Sequence, residues 1–169
     1  MPRSSRDTVV LRERVRTADR AAVRALVSDT DMFDGEEVDV AEELVEAYLE
    51  RGPESGYRFV FAEVGRKLLG YVCYGPVPGS DRRFEIYWIA VAREAQGRGM
   101  GRRLMLETER RIHAEGGVRA YAETASRPQY LPTRRFYVAM GYRKLGSLPH
   151  YYRRGDGKIT YVKDLGRTR

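Results

Sequence analysis

Residues 89–103 read Ile-Ala-Val-Ala-Arg-Glu-Ala-Gln-Gly-Arg-Gly-Met-Gly-Arg-Arg. An apolar run ends, a glycine-rich turn follows, and a helix begins. The first backbone N–H groups of a helix have no partner within it, and the helix dipole adds partial positive charge at that end. Gly97, Gly99 and Gly101 carry no Cβ, so a ligand can approach the backbone closely. Arg98, Arg102 and Arg103 add full positive charges. Together these residues suit a pyrophosphate. A Walker A loop would end in Gly-Lys-Ser/Thr, whereas Gly101 is followed by Arg102–Arg103. A dinucleotide fingerprint needs Gly-x-Gly-x-x-Gly, and the spacing here is Gly97-x-Gly99-x-Gly101. Glu123 lies at a distance suited to a ribose contact, but the rest of that fold is missing.

The elements that must hold this turn can be read from periodicity. Val9–Val15 predicts a first strand. Thr17 is placed to cap a helix carrying Ala22, Val23, Leu26 and Val27 at helical spacing. Asp39 is placed to cap a second helix, with Val40, Ala41, Leu44, Val45, Tyr48 and Leu49 as its apolar stripe and Glu42, Glu43, Glu46 and Glu50 facing water. Residues 57–64 and 68–74 predict a hairpin around Gly65–Arg66–Lys67. Phe84–Val91 is nearly all apolar, which predicts a central strand buried on both faces. A helix over 101–115 and a strand over 118–125 complete a strand–helix–strand unit, hence a parallel pair. Pro132 opens a short helix and Gly141 closes it. Strands near 142–148 and 159–165 end the pattern.

Length and composition bound the rest. A chain of 169 residues, 42% hydrophobic and 33% charged, fits one globular domain. No apolar run approaches the ~18 residues of a membrane span, and the polar Met1–Asp7 does not read as a secretory signal. A single cysteine, Cys73, builds no disulfide framework, which points to a reducing, cytoplasmic setting. It reads as a small core side chain. His113 reads as solvated and His150 lies beside Tyr151–Tyr152. Two histidines and one cysteine give no metal-site spacing. The net charge of +7 divides into +3 over residues 1–30, −9 over 31–64 and +13 over 65–169. An evenly basic nucleic-acid binder would look different. The acidic segment reads either as solvated helix faces or as an attractor for a cationic substrate.

Gln96-x-x-Gly99-x-Gly101 resembles motif A of the GNAT acetyltransferases, and Arg135-Phe136-Tyr137-x-x-x-Gly141-Tyr142 is similar to motif B. The predicted order of strand, two helices, three strands, helix, strand, helix and two strands also looks like that family. Tyr151–Tyr152 before the Gly155–Asp156–Gly157 turn resembles its bacterial ribosomal-protein N-terminal acetylating branch. The resemblance covers about residues 8–165. It implies an α/β (α+β) fold: a single domain, flexible at its ends, with a mixed central sheet of about seven strands and about four helices.

The resemblance further implies acetyl-CoA as co-substrate. Backbone groups of Ile89, Ala90 and Val91 would contact the pantetheine arm and thioester carbonyl. Gln96, Gly97, Arg98, Gly99, Met100, Gly101 and Arg102 would hold the pyrophosphate. A general base is needed, since alkylamines are protonated near neutral pH. Glu85 and Glu123 each match the glutamate of one branch of the family, and the choice stays open. A carboxylate on a buried strand has its pKa raised by desolvation, which suits a base. The alternative for each is an ion pair with Arg83 or Arg119. Tyr137 matches the tyrosine that protonates the departing thiolate. Phe136 and Met140 should face the core, with Tyr137 turned ~100° away from Phe136. The family often has an asparagine in the loop before this helix, and 126–132 has none. Tyr130 there either closes over the acceptor site or covers the loop. Asp29, Asp31, Asp34, Glu36 and Glu37 join the first two helices, where the family builds part of its acceptor site. The expected function is therefore N-acetylation of a cationic small-molecule amine. A protein N-terminal or lysine acetyltransferase and a non-catalytic acyl-CoA sensor are the alternatives. No nucleic acid, membrane or metal is expected, and the oligomeric state, a homodimer included, is left open.

Overall fold

The computed structural model describes residues 8–166. Met1–Asp7, read above as a polar non-signal segment, and residues 167–169 lie outside the described residues, as do the expected flexible ends. The elements run β1 (Val10–Arg12), α1 (Asp19–Asp29), α2 (Gly35–Arg51), β2 (Arg58–Val64), β3 (Lys67–Pro76), β4 (Arg83–Val91), α3 (Met100–Ala114), β5 (Arg119–Ala125), α4 (Leu131–Ala139), β6 (Arg143–Arg153) and β7 (Asp156–Asp164). This is the order read from the sequence. The strands form one mixed sheet in the order β1-β2-β3-β4-β5-β7-β6. Among the described residues, no helix is long and apolar enough to cross a membrane.

The chain divides into two compact units. One holds the residues up to Gly75 together with Trp88–Thr108; the other holds Pro76–Tyr87 and the residues from Glu109 onward. In the first unit β1, β2 and β3 form an antiparallel meander. The rings of Phe59, Phe61 and Tyr71 stack in its core, with Val23, Val27 and Val45 fully buried. Gly70 is needed for close packing: a Cβ there would lie 2.9 Å from both the Ala90 carbonyl oxygen and Leu104 Cδ1.

Several expectations for this unit are corrected. β1 stops at Arg12, not Val15, because the chain turns to satisfy a buried acid. Arg12 bridges Asp19 and Glu63, and the Arg16 N–H donates to the Asp19 carboxylate at 2.7 Å. Thr17 does not cap α1; Ala18 occupies that position without a side-chain bond. Nor does Asp39 cap α2. Asp34 does, in a reciprocal capping box with Glu37, and the helix starts five residues earlier than expected. Its buried stripe is Val38, Ala41 and Val45, leaving Val40 and Leu49 exposed. Glu42 does not simply face water; it pairs with Arg20 and Arg24 of α1.

In the second unit β4 pairs in parallel with β5, from Arg83↔Arg119 to Ile86↔Ala122. β5 pairs with β7 and β7 with β6, both antiparallel. Phe84, Ile86, Ile112, Ala120 and Ala122 are buried there. β4 is central in the sheet order, but it is not buried on both faces. Phe84, Ile86 and Ala90 are buried, while Glu85, Tyr87, Ile89 and Val91 are only half-buried. The apolar run hid a period-two alternation, interrupted at the half-buried Trp88, that leaves one face half-buried. β6 runs on to Arg153, past the expected end at 148.

Candidate functional site

The glycine-rich turn lies wholly in the first unit. At the end of β4 the Val91 carbonyl accepts from the Gln96 side-chain amide at 2.9 Å, and the Ala92 N–H donates to Leu69 at 2.8 Å. Arg93–Ala95 makes one 3₁₀ turn that buries Ala95. Gly97 and Gly99 then take φ values of 70° and 78°, in the left-handed region where a side chain is strained. A Cβ at either would meet no protein atom within 4 Å. Their missing side chains therefore leave open space rather than make room for a neighbour.

The first helical bond of α3 runs from the Arg103 N–H to the Gly99 carbonyl at 3.0 Å. The N–H groups of Met100, Gly101 and Arg102 thus have no carbonyl one turn earlier within the helix. No acidic residue sits in this first turn, and Arg98 and Arg102 are exposed. Arg103 is partly committed, donating to the Val9 carbonyl at 3.1 Å. Open positive-φ glycines, free N–H groups and uncommitted guanidinium groups fit a diphosphate. Upstream on β4, Ile89 and Val91 lie on the half-buried face, whereas the Ala90 side chain is buried.

The second unit holds a cleft of ≈ 440 Å³ lined by Val77, Asp81, Arg83, Glu85, Glu123 and Thr160, with Ser80 and Tyr121 beside them. Both sequence-predicted carboxylates line it. Neither expected arginine partner is used: Arg119 pairs with Asp164 at 2.7 Å, and Arg83 donates to the Asp81 carbonyl. Instead Glu123 pairs with Lys158 at 3.0 Å. The Glu85 pKa is raised, first by burial and then by the nearby Glu123 charge, with Lys158 acting in the opposite sense. Among the described residues Glu85 makes no ion pair. The two carboxylates are thus chemically unlike. Lys158 was missed by sequence reading, since a lone lysine on a strand carries no motif.

Tyr137 is almost fully buried, at 3% exposure, with the rings of Tyr142 and Tyr161 each 5.6 Å away. Burial and Tyr161 push its pKa upward, so the hydroxyl keeps its proton. Phe136, expected to be the more buried of the two, is only half-buried. Tyr130 is buried beneath Arg127 and covers its own loop. Ser126 ties that loop to Gly157 through two hydrogen bonds of 2.7 and 2.8 Å. His113 is exposed, and Cys73 is a buried free thiol whose pKa burial raises well above the usual value.

Three of the five carboxylates between α1 and α2 have structural partners. Asp34 and Glu37 form the capping box, and Asp31 pairs with Arg93. The acidity of that segment therefore overstates its capacity to attract a substrate.

Residues 21–142 match the acetyltransferase (GNAT) family. An uncharacterised N-acetyltransferase from Methanocaldococcus jannaschii is 31% identical over 105 residues, which are 62% of this chain and 65% of that relative's length. The match thus spans somewhat less than two thirds of the curated relative. A crystal structure assigned to the GNAT family, from Desulfovibrio desulfuricans, is 41% identical with a TM-score of 0.92, covering 94% of this chain and all of that one. An aminoglycoside 6′-N-acetyltransferase complexed with coenzyme A shares the fold at 17% identity, with a TM-score of 0.73 and coverage of 96% and 99%.

Proposed function

The chain belongs to the GNAT acetyltransferase family, and on that premise we propose that it acts as one domain that N-acetylates a cationic small-molecule amine from acetyl-CoA. One observation carries this reading: open, positive-φ Gly97 and Gly99 lead into an α3 N-terminus free of acidic residues. Bound there, acetyl-CoA supplies an activated thioester. The N–H groups at the start of α3, with Gln96, Arg98 and Arg102, hold the diphosphate. The backbone of Ile89, Ala90 and Val91 would hold the pantetheine arm, and the Val91 N–H would be the donor to the thioester carbonyl.

In the cleft, Glu85 accepts a proton from the acceptor ammonium, directly or through one water. Its raised pKa brings it closer to that task than an ordinary carboxylate. Glu123 is partly neutralised by Lys158 and helps chiefly through its charge. The Tyr137 hydroxyl, protonated at rest, would give its proton to the departing sulfur and regain one through the second proton that the acylated nitrogen sheds as the amide forms. A cationic acceptor is favoured by Asp81, Glu85 and Glu123 along one cleft. A protein amine is the second reading, favoured by the wholly exposed β6 with Leu145, Leu148, Tyr151 and Tyr152.

Calorimetric titration tests the cofactor: acetyl-CoA and coenzyme A should bind saturably, and ATP and NAD should not. Failure of coenzyme A to bind folded protein would overturn the assignment. Turnover of small alkylamines but not of lysine-containing peptides separates the two acceptor readings.

A further inference from the structure

Arg83 is the cation of the cleft lining, and a second cation, Lys158, reaches the lining carboxylate Glu123 from beside it. Lys158 Nζ lies 3.0 Å from Glu123 Oε1 and 4.3 Å from the centre of the Tyr151 ring. The Lys158 side chain as a whole is 15% exposed, its stem covered along the strand. Tyr151 is set edge-on to Tyr152, their centres 5.0 Å apart at 90°. The Tyr152 hydroxyl is pushed upward in pKa by burial and then by Glu123, so it too feels that carboxylate. The arch carrying both rings is held in place. Leu148 pairs with Lys158 and Arg153 with Asp156, so 149–152 bulge out of the ladder. His150 adopts a φ of 59°, and its Nδ1 accepts the Gly155 N–H at 2.9 Å.

A carboxylate on one side and an aromatic face on the other are what an ammonium ligand needs. Here the chain fills that place itself, while Glu85, on the neighbouring strand, is left without an ion pair. We infer that Lys158 is a specificity-determining residue: its ammonium occupies the position at Glu123 and Tyr151 that the second cationic group of a diamine would take, so the cleft accepts amines bearing a single ammonium group. This rests on the reading of the cleft as the acceptor site. Lys158 takes no part in proton transfer. It acts through charge and occupancy, leaving Glu85 for the substrate ammonium, while the exposed Asp81 pairs with Arg82.

The test compares butylamine with 1,4-diaminobutane on the coenzyme A-bound protein, following the side-chain carboxyl carbons of Glu85 and Glu123 by NMR. In the parent protein both amines should move Glu85 alone, with Kd values within about threefold. In Lys158→Met the diamine should also move Glu123 and bind at least about tenfold more tightly than the monoamine. Lys158→Arg should restore the parent pattern. Lys158→Gln repeats the test should the methionine variant fail to fold. A folded variant that binds both amines without preference would overturn the role of Lys158 and leave the cleft reading intact. Amines that bind none of the proteins, while coenzyme A still does, would overturn the cleft reading and this inference with it.

Discussion

The turn of the first unit and the cleft of the second are built from different materials. The turn is backbone: N–H groups, two left-handed glycines and space, all within a few consecutive residues. The cleft is side chains, brought from β4, β5 and β7 by strand register and from the loop between β3 and β4. A site of the first kind is written as a motif, because its parts are neighbours in sequence. A site of the second kind depends on which charges meet, and here Glu85 and Glu123 meet different neighbours. Local geometry should therefore govern cofactor affinity, while pairing in the cleft should govern turnover.

Glu85→Gln is expected to have the largest effect, lowering kcat/KM by roughly 10²–10³ while leaving the coenzyme A Kd unchanged. Glu123→Gln should cost less than about tenfold, since Lys158 already holds that carboxylate. Steady-state kinetics with the same amine decide; equal losses would erase the distinction between the two. The pH profile sharpens it. The parent rate should rise as pH passes through the raised Glu85 pKa, and this limb should vanish in Glu85→Gln. Stability carries the opposite sign. A carboxyl with a raised folded pKa binds its proton more tightly in the native state. Its contribution is present when it is protonated and is lost as pH rises from the ordinary carboxylate range through the raised value. Glu85→Gln should therefore flatten stability across that window, as thermal melts at stepped pH would show.

Gly99→Val should weaken coenzyme A binding by about 10², because its branched side chain enters the ligand space and resists a φ of 78°. The native fold should survive, since a Cβ there touches no protein atom. A weakened Kd by calorimetry with cooperative melting retained would support a backbone cradle. Tyr137→Phe keeps the buried ring and removes the hydroxyl; kcat should fall about tenfold to a hundredfold with KM little changed. Full turnover would reduce Tyr137 to packing. The smallest effect is expected from Asp34→Ala, which removes the α2 cap. It should cost about 1 kcal/mol and lower Tm by about 2–4 °C without changing kcat/KM. A large kinetic loss would return the acidic segment to the acceptor site.

Much of the fold was legible because periodicity and punctuation are local. The seven strands and four helices, their order, and the glycine turn before α3 follow from apolar spacing and from where glycine and proline sit. Errors fell where two local signals competed. Asp34 and Asp39 are both plausible caps, and only the reciprocal bond with Glu37 selects Asp34. In β4 a nearly continuous apolar run masked the half-open face that carries Glu85, Ile89 and Val91.

The sequence alone determined the glycine turn ahead of α3, because its geometry is a property of consecutive backbone residues and of glycine's freedom at positive φ. It also nominated Glu85, Glu123 and Tyr137, but it could not rank the two carboxylates or foresee the burial of Tyr137. Tertiary structure decided those points. Desolvation and ion pairing depend on the register that sets Glu123 opposite Thr160 and Ala125 opposite Lys158, and on the arch that lays Tyr151 against the lysine. The Glu123–Lys158 pair joins residues 35 positions apart, and even the closer Tyr151–Lys158 contact depends on the arch, so no local pattern in the chain encodes them.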